Sequence, residues 1–81
     1  MTTIKILGTG CPTCQRLLDD VMNLVATNQW DANVEYVTDI PAILAYGVMS
    51  TPALVVNEKV VAVGHPGPAK VAYLIQQAIS A

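Results

Sequence analysis

The residues with the clearest chemical potential are Cys11 and Cys14, the two cysteines of an 81-residue chain, separated by Pro12 and Thr13. A cysteine attacks disulfides or binds soft metals as the thiolate, so its surroundings decide its use. Proline has no N–H to leave unpaired and fits the first helical position, which makes Cys11 the N-cap and Cys14 the third residue of the first turn. Both sulfurs then meet on one side. The Cys14 N–H and S–H can donate to the Cys11 sulfur, and the helix dipole favours negative charge there, so Cys11 is expected to ionise more readily than a free cysteine. In this arrangement Cys11 attacks a substrate disulfide, and Cys14, deeper and less exposed, resolves the mixed disulfide and releases the reduced substrate. The competing reading is a pair of buried, unreactive thiols or a static disulfide. A C-x-x-C pair placed just after a strand and at the start of a helix favours the reactive one.

Hydrophobic periodicity supplies the elements that must hold this pair. Alternating Ile4 and Ile6 against Lys5 and Leu7 predicts a strand over Thr2 to Leu7, ended by Gly8-Thr9-Gly10. Cys14, Leu17, Leu18, Val21, Met22 and Val25 then recur at helical spacing, with Arg16, Asp19, Asp20 and Asn23 on the other side. A second strand is expected over Asn33 to Val37. Asp39 is placed to N-cap a short helix from Ile40 to about Tyr46, stopped by Gly47. Thr51-Pro52 breaks the chain before two short apolar strands, Ala53 to Val56 and Val60 to Val63, joined by Asn57-Glu58-Lys59 as an antiparallel hairpin. Gly67-Pro68 opens a last helix with Val71, Leu74, Ile75, Ala78 and Ile79 on one face. The reading is α/β, in the order β-α-β-α-β-β-α. A parallel crossover plus an antiparallel edge makes a four-stranded mixed sheet with helices on both faces.

Length leaves room for one domain over residues 1–81. Four basic against six acidic residues give a net charge of −2, which offers no field for gripping nucleic acid. Apolar residues make up 53% and charged ones 12%, which excludes disorder. The longest uncharged run, Ile40 to Asn57, is interrupted by Pro41, Gly47 and Pro52, so no membrane span is expected. The first residues lack the pattern of a signal peptide, and a cytoplasmic location is the expectation. Thiols there are kept reduced, so the pair is expected to be redox-active or metal-binding rather than a staple.

Two stretches, Ile6-Leu7-Gly8-Thr9-Gly10-Cys11-Pro12-Thr13-Cys14 and Tyr46-Gly47-Val48-Met49-Ser50-Thr51-Pro52-Ala53-Leu54-Val55-Val56, followed by Gly64, resemble the thioredoxin-like superfamily. The nearest likeness is to its small glutaredoxin-like redox-active disulfide proteins of archaea and bacteria. The resemblance implies a thioredoxin-like fold and thiol–disulfide oxidoreductase activity, with no cofactor beyond the Cys11–Cys14 disulfide. It also implies a protein or small-molecule disulfide as substrate and an electron donor of the thioredoxin-reductase kind. Thr51-Pro52 matches the family's cis-proline loop, which implies a cis bond and a Thr51 backbone turned toward Cys11 to pair with an extended substrate chain, beside Pro12 and Thr13. The chain also departs from the thioredoxin pattern. Gly10 replaces a tryptophan, Pro12-Thr13 looks more like glutaredoxin's dipeptide, and Lys5 stands where thioredoxins place a buried acid. Lys5 would modulate the Cys11 thiolate if its ammonium reached it; otherwise it snorkels to water.

A Cu(I)-chaperone-type domain also places C-x-x-C between a first strand and helix, but its order ends on a strand and it usually carries Met where Thr9 stands. A redox-sensing binding module is the third reading. Zinc wants four ligands, and only Cys11, Cys14 and a distant His65 offer themselves. His65 itself reads as a solvated loop residue. Trp30, Tyr36, Tyr46 and Tyr73 read as core or rim packing, Met22 and Met49 as core filler, and Ser50 as a neighbour of the substrate loop.

Overall fold

A strand with apolar residues on both faces belongs inside a sheet, and β1 (Thr2–Leu7) is such a strand. The computed structural model of the protein describes residues 2–10, 12–48 and 51–80. The remaining elements are α1 (Pro12–Asn28), β2 (Ala32–Val37), α2 (Ile40–Ala45), β3 (Ala53–Val56), β4 (Lys59–Val63) and α3 (Pro68–Ser80). The strands lie in the order β2-β1-β3-β4. β1 runs parallel to β2, from Thr2 against Ala32 to Leu7 against Val37. It runs antiparallel to β3, from Ile4 against Val56 to Leu7 against Ala53. The wholly apolar β3 is buried along its whole length, as an interior strand covered on both faces must be.

Alternation along β1 and β3 sends neighbouring side chains to opposite faces and creates two cores. Ile4, Ile6, Leu54 and Val56 meet Leu17 and Val21 of α1 and Val71 and Ile75 of α3. On the other face Leu7, Ala53 and Val55 meet Ile43 of α2 and Val48. The expected mixed sheet with helices on both faces is thus present, two helices against one. The order closes on α3, which sets it apart from the copper-chaperone arrangement. Among the described residues no helix is long and apolar enough to cross a membrane.

Local signals explain most boundaries. Pro12 opens α1, and the Asp39 carboxylate caps α2 by accepting the Ala42 N–H at 3.3 Å. The last hairpin differs from expectation by one residue. Asn57 and Glu58 both have positive φ, 52° and 68°, the requirement of a two-residue type I′ turn, so Lys59 pairs with Val56 and belongs to β4. Met22 is also not core filler: it is 53% exposed on the flank of α1. Tyr73 is exposed on α3, whereas Trp30 and Tyr36 pack on the larger core and Tyr46 on the smaller one. Met49 lies outside the described residues.

Candidate active site at one end of the sheet

Antiparallel pairing of β1 with β3, and of β3 with β4, brings three chain segments to one end of the sheet: the exit of β1, the entry of β3 and the exit of β4. The N-terminus of α1 returns to this end. Cys14, third residue of α1, is wholly buried there. It packs on Gly8, which continues β1 by donating its N–H to the Val37 carbonyl at 3.0 Å. A Cβ at Gly8 would stand 2.8 Å from the Cys14 Cβ, 2.9 Å from its Sγ and 3.3 Å from Tyr36 Cε1. The glycine is therefore required by close approach, since only a residue without a side chain lets the cysteine-bearing turn settle on the strand. Tyr36 completes this floor, and its buried hydroxyl has no hydrogen-bond partner among the described residues. A hydroxyl buried in that way costs about 1–3 kcal/mol. Cys11 lies outside the described residues; its neighbours Pro12 and Thr13 are exposed.

The second segment is the loop entering β3. The Thr51–Pro52 peptide bond is cis, as the resemblance implies. Pro52 is buried and Thr51 partly so, and the Pro52 carbonyl accepts the Gly64 N–H at 2.6 Å. Gly64 has φ 86°, in the left-handed region that glycine adopts without strain. This bond ties the exit of β4 to the proline loop. No described residue hydrogen-bonds to the backbone of Thr51. Ser50 is outside the described residues.

Lys5 has a different task from the one its position suggested. It shares β1 with Ile4 and Ile6 but projects to the opposite face, away from α1 and Cys14. There its ammonium lies 2.7 Å from a Glu58 carboxylate oxygen and donates to the Tyr46 hydroxyl at 2.9 Å; Tyr46 in turn donates to the second Glu58 oxygen at 3.0 Å. Hydrogen bonding to Glu58, and then to Tyr46, holds the Lys5 ammonium above the usual lysine range and keeps the Glu58 carboxyl below its own. Lys5 is part of a three-residue clasp between β1, α2 and the hairpin, on the face of the sheet opposite Cys14.

His65 is likewise not a solvated loop residue. Its side chain is only 8% exposed and its Nε2 lies 2.7 Å from an Asp20 carboxylate oxygen. The Gly67 N–H donates to Nδ1 at 3.0 Å, so the proton sits on Nε2 and is donated to Asp20. The pair pins the loop before α3 onto the side of α1. Between them runs a groove of about 470 Å³ lined by Thr13, Arg16, Asp20, His65, Gly67 and Pro68. In the sequence Arg16 and Asp20 stand only as polar residues on the side of α1 opposite its apolar stripe. The one signal pointing elsewhere was Gly64-His65-Pro66-Gly67-Pro68, a rigid loop containing the single histidine of the chain.

Comparison with known proteins agrees with this arrangement. Residues 2–76 match the family profile described as the thioredoxin domain. A protein named Thioredoxin from Methanocaldococcus jannaschii is 34% identical over 61 residues, which cover 75% of this chain and 70% of that protein.

Proposed function

The chain belongs to the thioredoxin family, and from that premise we propose that it is a thiol–disulfide oxidoreductase in which Cys11 is the nucleophile and Cys14 the resolving thiol. The supporting observation is the burial of Cys14 at the third position of α1, pressed on Gly8. An incoming disulfide cannot reach a wholly buried sulfur. First attack therefore falls to Cys11, which precedes the exposed Pro12 and Thr13 in the sequence. The Cys11 thiolate adds to one sulfur of the substrate; the S–S bond breaks, a mixed disulfide forms, and the departing thiolate takes up a proton. Cys14 gives up its proton and attacks the Cys11 sulfur. The Cys11–Cys14 disulfide forms, the second substrate thiol leaves, and two electrons have passed from protein to substrate.

Thr51 supplies a backbone edge for an extended substrate beside the cis Pro52, with Pro12 and Thr13 flanking it. The reading needs no further redox group. A reductase of the thioredoxin-reductase kind would restore the dithiol, and a reducing cytoplasm suits that cycle. The test is a Cys14→Ser variant incubated with a disulfide-bonded protein. A covalent adduct through Cys11, released by added thiol, is expected; its absence, or tight Cu(I) binding by the wild type without disulfide reduction, would overturn the reading.

A further inference from the structure

The groove beside Thr13 contains a cation with no carboxylate assigned to it. Thr13, Arg16 and Asp20 are spaced to share one side of α1, facing His65, Gly67 and Pro68 across about 470 Å³ of open space. Arg16 and Asp20 are four residues apart, the separation at which opposite charges on a helix usually pair. Here one carboxylate oxygen is taken. His65 donates to it at 2.7 Å, and Gly67 fixes the imidazole tautomer from behind. The His65 side chain is 8% exposed and Asp20 24%, so this is a built wall rather than a chance surface contact. Among the described residues Arg16 makes no ion pair. Of the chain's four basic residues, Lys5 is committed to Glu58, Lys70 lies over the Tyr73 ring and Lys59 lines a different cavity with Val56 and Asn57, which leaves Arg16 as the cation lining the groove.

We propose that this groove receives an acidic side chain of the substrate, one or two residues from the cysteine under attack, and that Arg16 is a specificity-determining residue for peptide disulfides flanked by Asp or Glu. The inference rests on the oxidoreductase reading above. A guanidinium presents a planar fork of N–H donors that matches a carboxylate in two parallel hydrogen bonds. Its reach is right as well. Arg16 lies four residues beyond Pro12, about 6 Å along the helix axis, which an extended peptide covers in about two residues. His65 acts as a positioning residue: by holding Asp20 toward the loop before α3 it keeps the internal carboxylate from swinging into a direct ion pair with Arg16.

The test uses three peptide disulfides that differ only in having Asp, Asn or Lys beside the cysteine, with kcat/KM compared as ratios within each variant. Wild type is expected to favour Asp over Asn about two- to fivefold, the range of a partly exposed ion pair. Arg16→Gln should level the two, and Arg16→Glu should favour Lys. His65→Ala should shrink the Asp preference by freeing Asp20, and Asp20→Asn added to it should restore the preference. Equal wild-type rates for all three peptides, with reduction still occurring, would overturn this inference alone. A preference that survives Arg16→Gln would do the same, whereas failure to reduce any of the peptides would overturn the oxidoreductase reading together with it.

Discussion

Cys14 and Gly8 show how a residue can be required for an atom it lacks. The two cysteines announce themselves by type and spacing, and Pro12 fixes their place on α1. Gly8 reads in the sequence only as part of a flexible turn, yet the space it leaves is what lets Cys14 sink to full burial. Five residues of chain and the start of a helix separate the two, so no local pattern discloses the contact. Gly8→Ala forces a methyl to within 2.9 Å of the Cys14 sulfur and 2.8 Å of its Cβ. The partners are a short side chain and a helix turn that cannot swing aside, so α1 must lift. The expected cost is about 1–3 kcal/mol, read as a lower midpoint in urea unfolding, together with faster alkylation of Cys14 as its burial is relaxed. An unchanged midpoint and rate would mean that α1 does not rest on this glycine.

Among the elements, the β3–β4 hairpin is the one whose stability rests on distant partners. Glu58 occupies the second turn position with φ 68°, a conformation costing a non-glycine residue about 1–3 kcal/mol. It is held there by Lys5 from β1 and Tyr46 at the C-cap of α2. The Glu58 carboxyl is lowered in the folded state, first by its hydrogen bond from Lys5 and then by that from Tyr46. Its contribution is therefore complete above the ordinary glutamate value of about 4.3 and is lost as pH falls through the lower folded value. Lys5 is raised, so its share persists up to about pH 10.4, its ordinary value, and fades only beyond it. Glu58→Gln keeps the turn geometry and removes the charge. Thermal unfolding should show wild type above the variant by a constant margin from about pH 5 to 10, closing in acid; a margin unchanged down to pH 2 would show that charge plays no part. The turn was legible, since Asn57 favours positive φ and apolar strands flank it. The clasp was not, because Lys5 and Glu58 meet only through sheet pairing and a mid-strand lysine looks the same whether it reaches water or a carboxylate.

At the scale of the molecule, stability comes from two unequal cores, and the sequence shows them as two alternating sets on the same strands. Period-two alternation in β1 and three- and four-residue steps in α1 and α3 made the order of elements and the mixed sheet readable, because each pattern reports a single buried face. The cis-proline loop was legible by likeness alone. Met22 and His65 escaped because burial at the rim of a helix or in a loop depends on what packs there from elsewhere. Leu54 is wholly buried at the centre of β3, among residues of α1 and α3. Leu54→Ala should cost about 2–5 kcal/mol, much of the total for a domain this small. Exposed Leu44, truncated likewise, should cost under about 1 kcal/mol. Equal shifts in their urea midpoints would place the core elsewhere. The polarity of the fold has a practical corollary. Thr2 begins β1 beside Asp31 at the end of the sheet away from Cys14, and α3 starts near the site and carries the chain about 18 Å away from it by Ser80. A tether or fused partner attached at either terminus would hold the molecule by its back, and a layer immobilised in that way would turn the start of α1 and the Pro52 loop of every molecule outward to the solution.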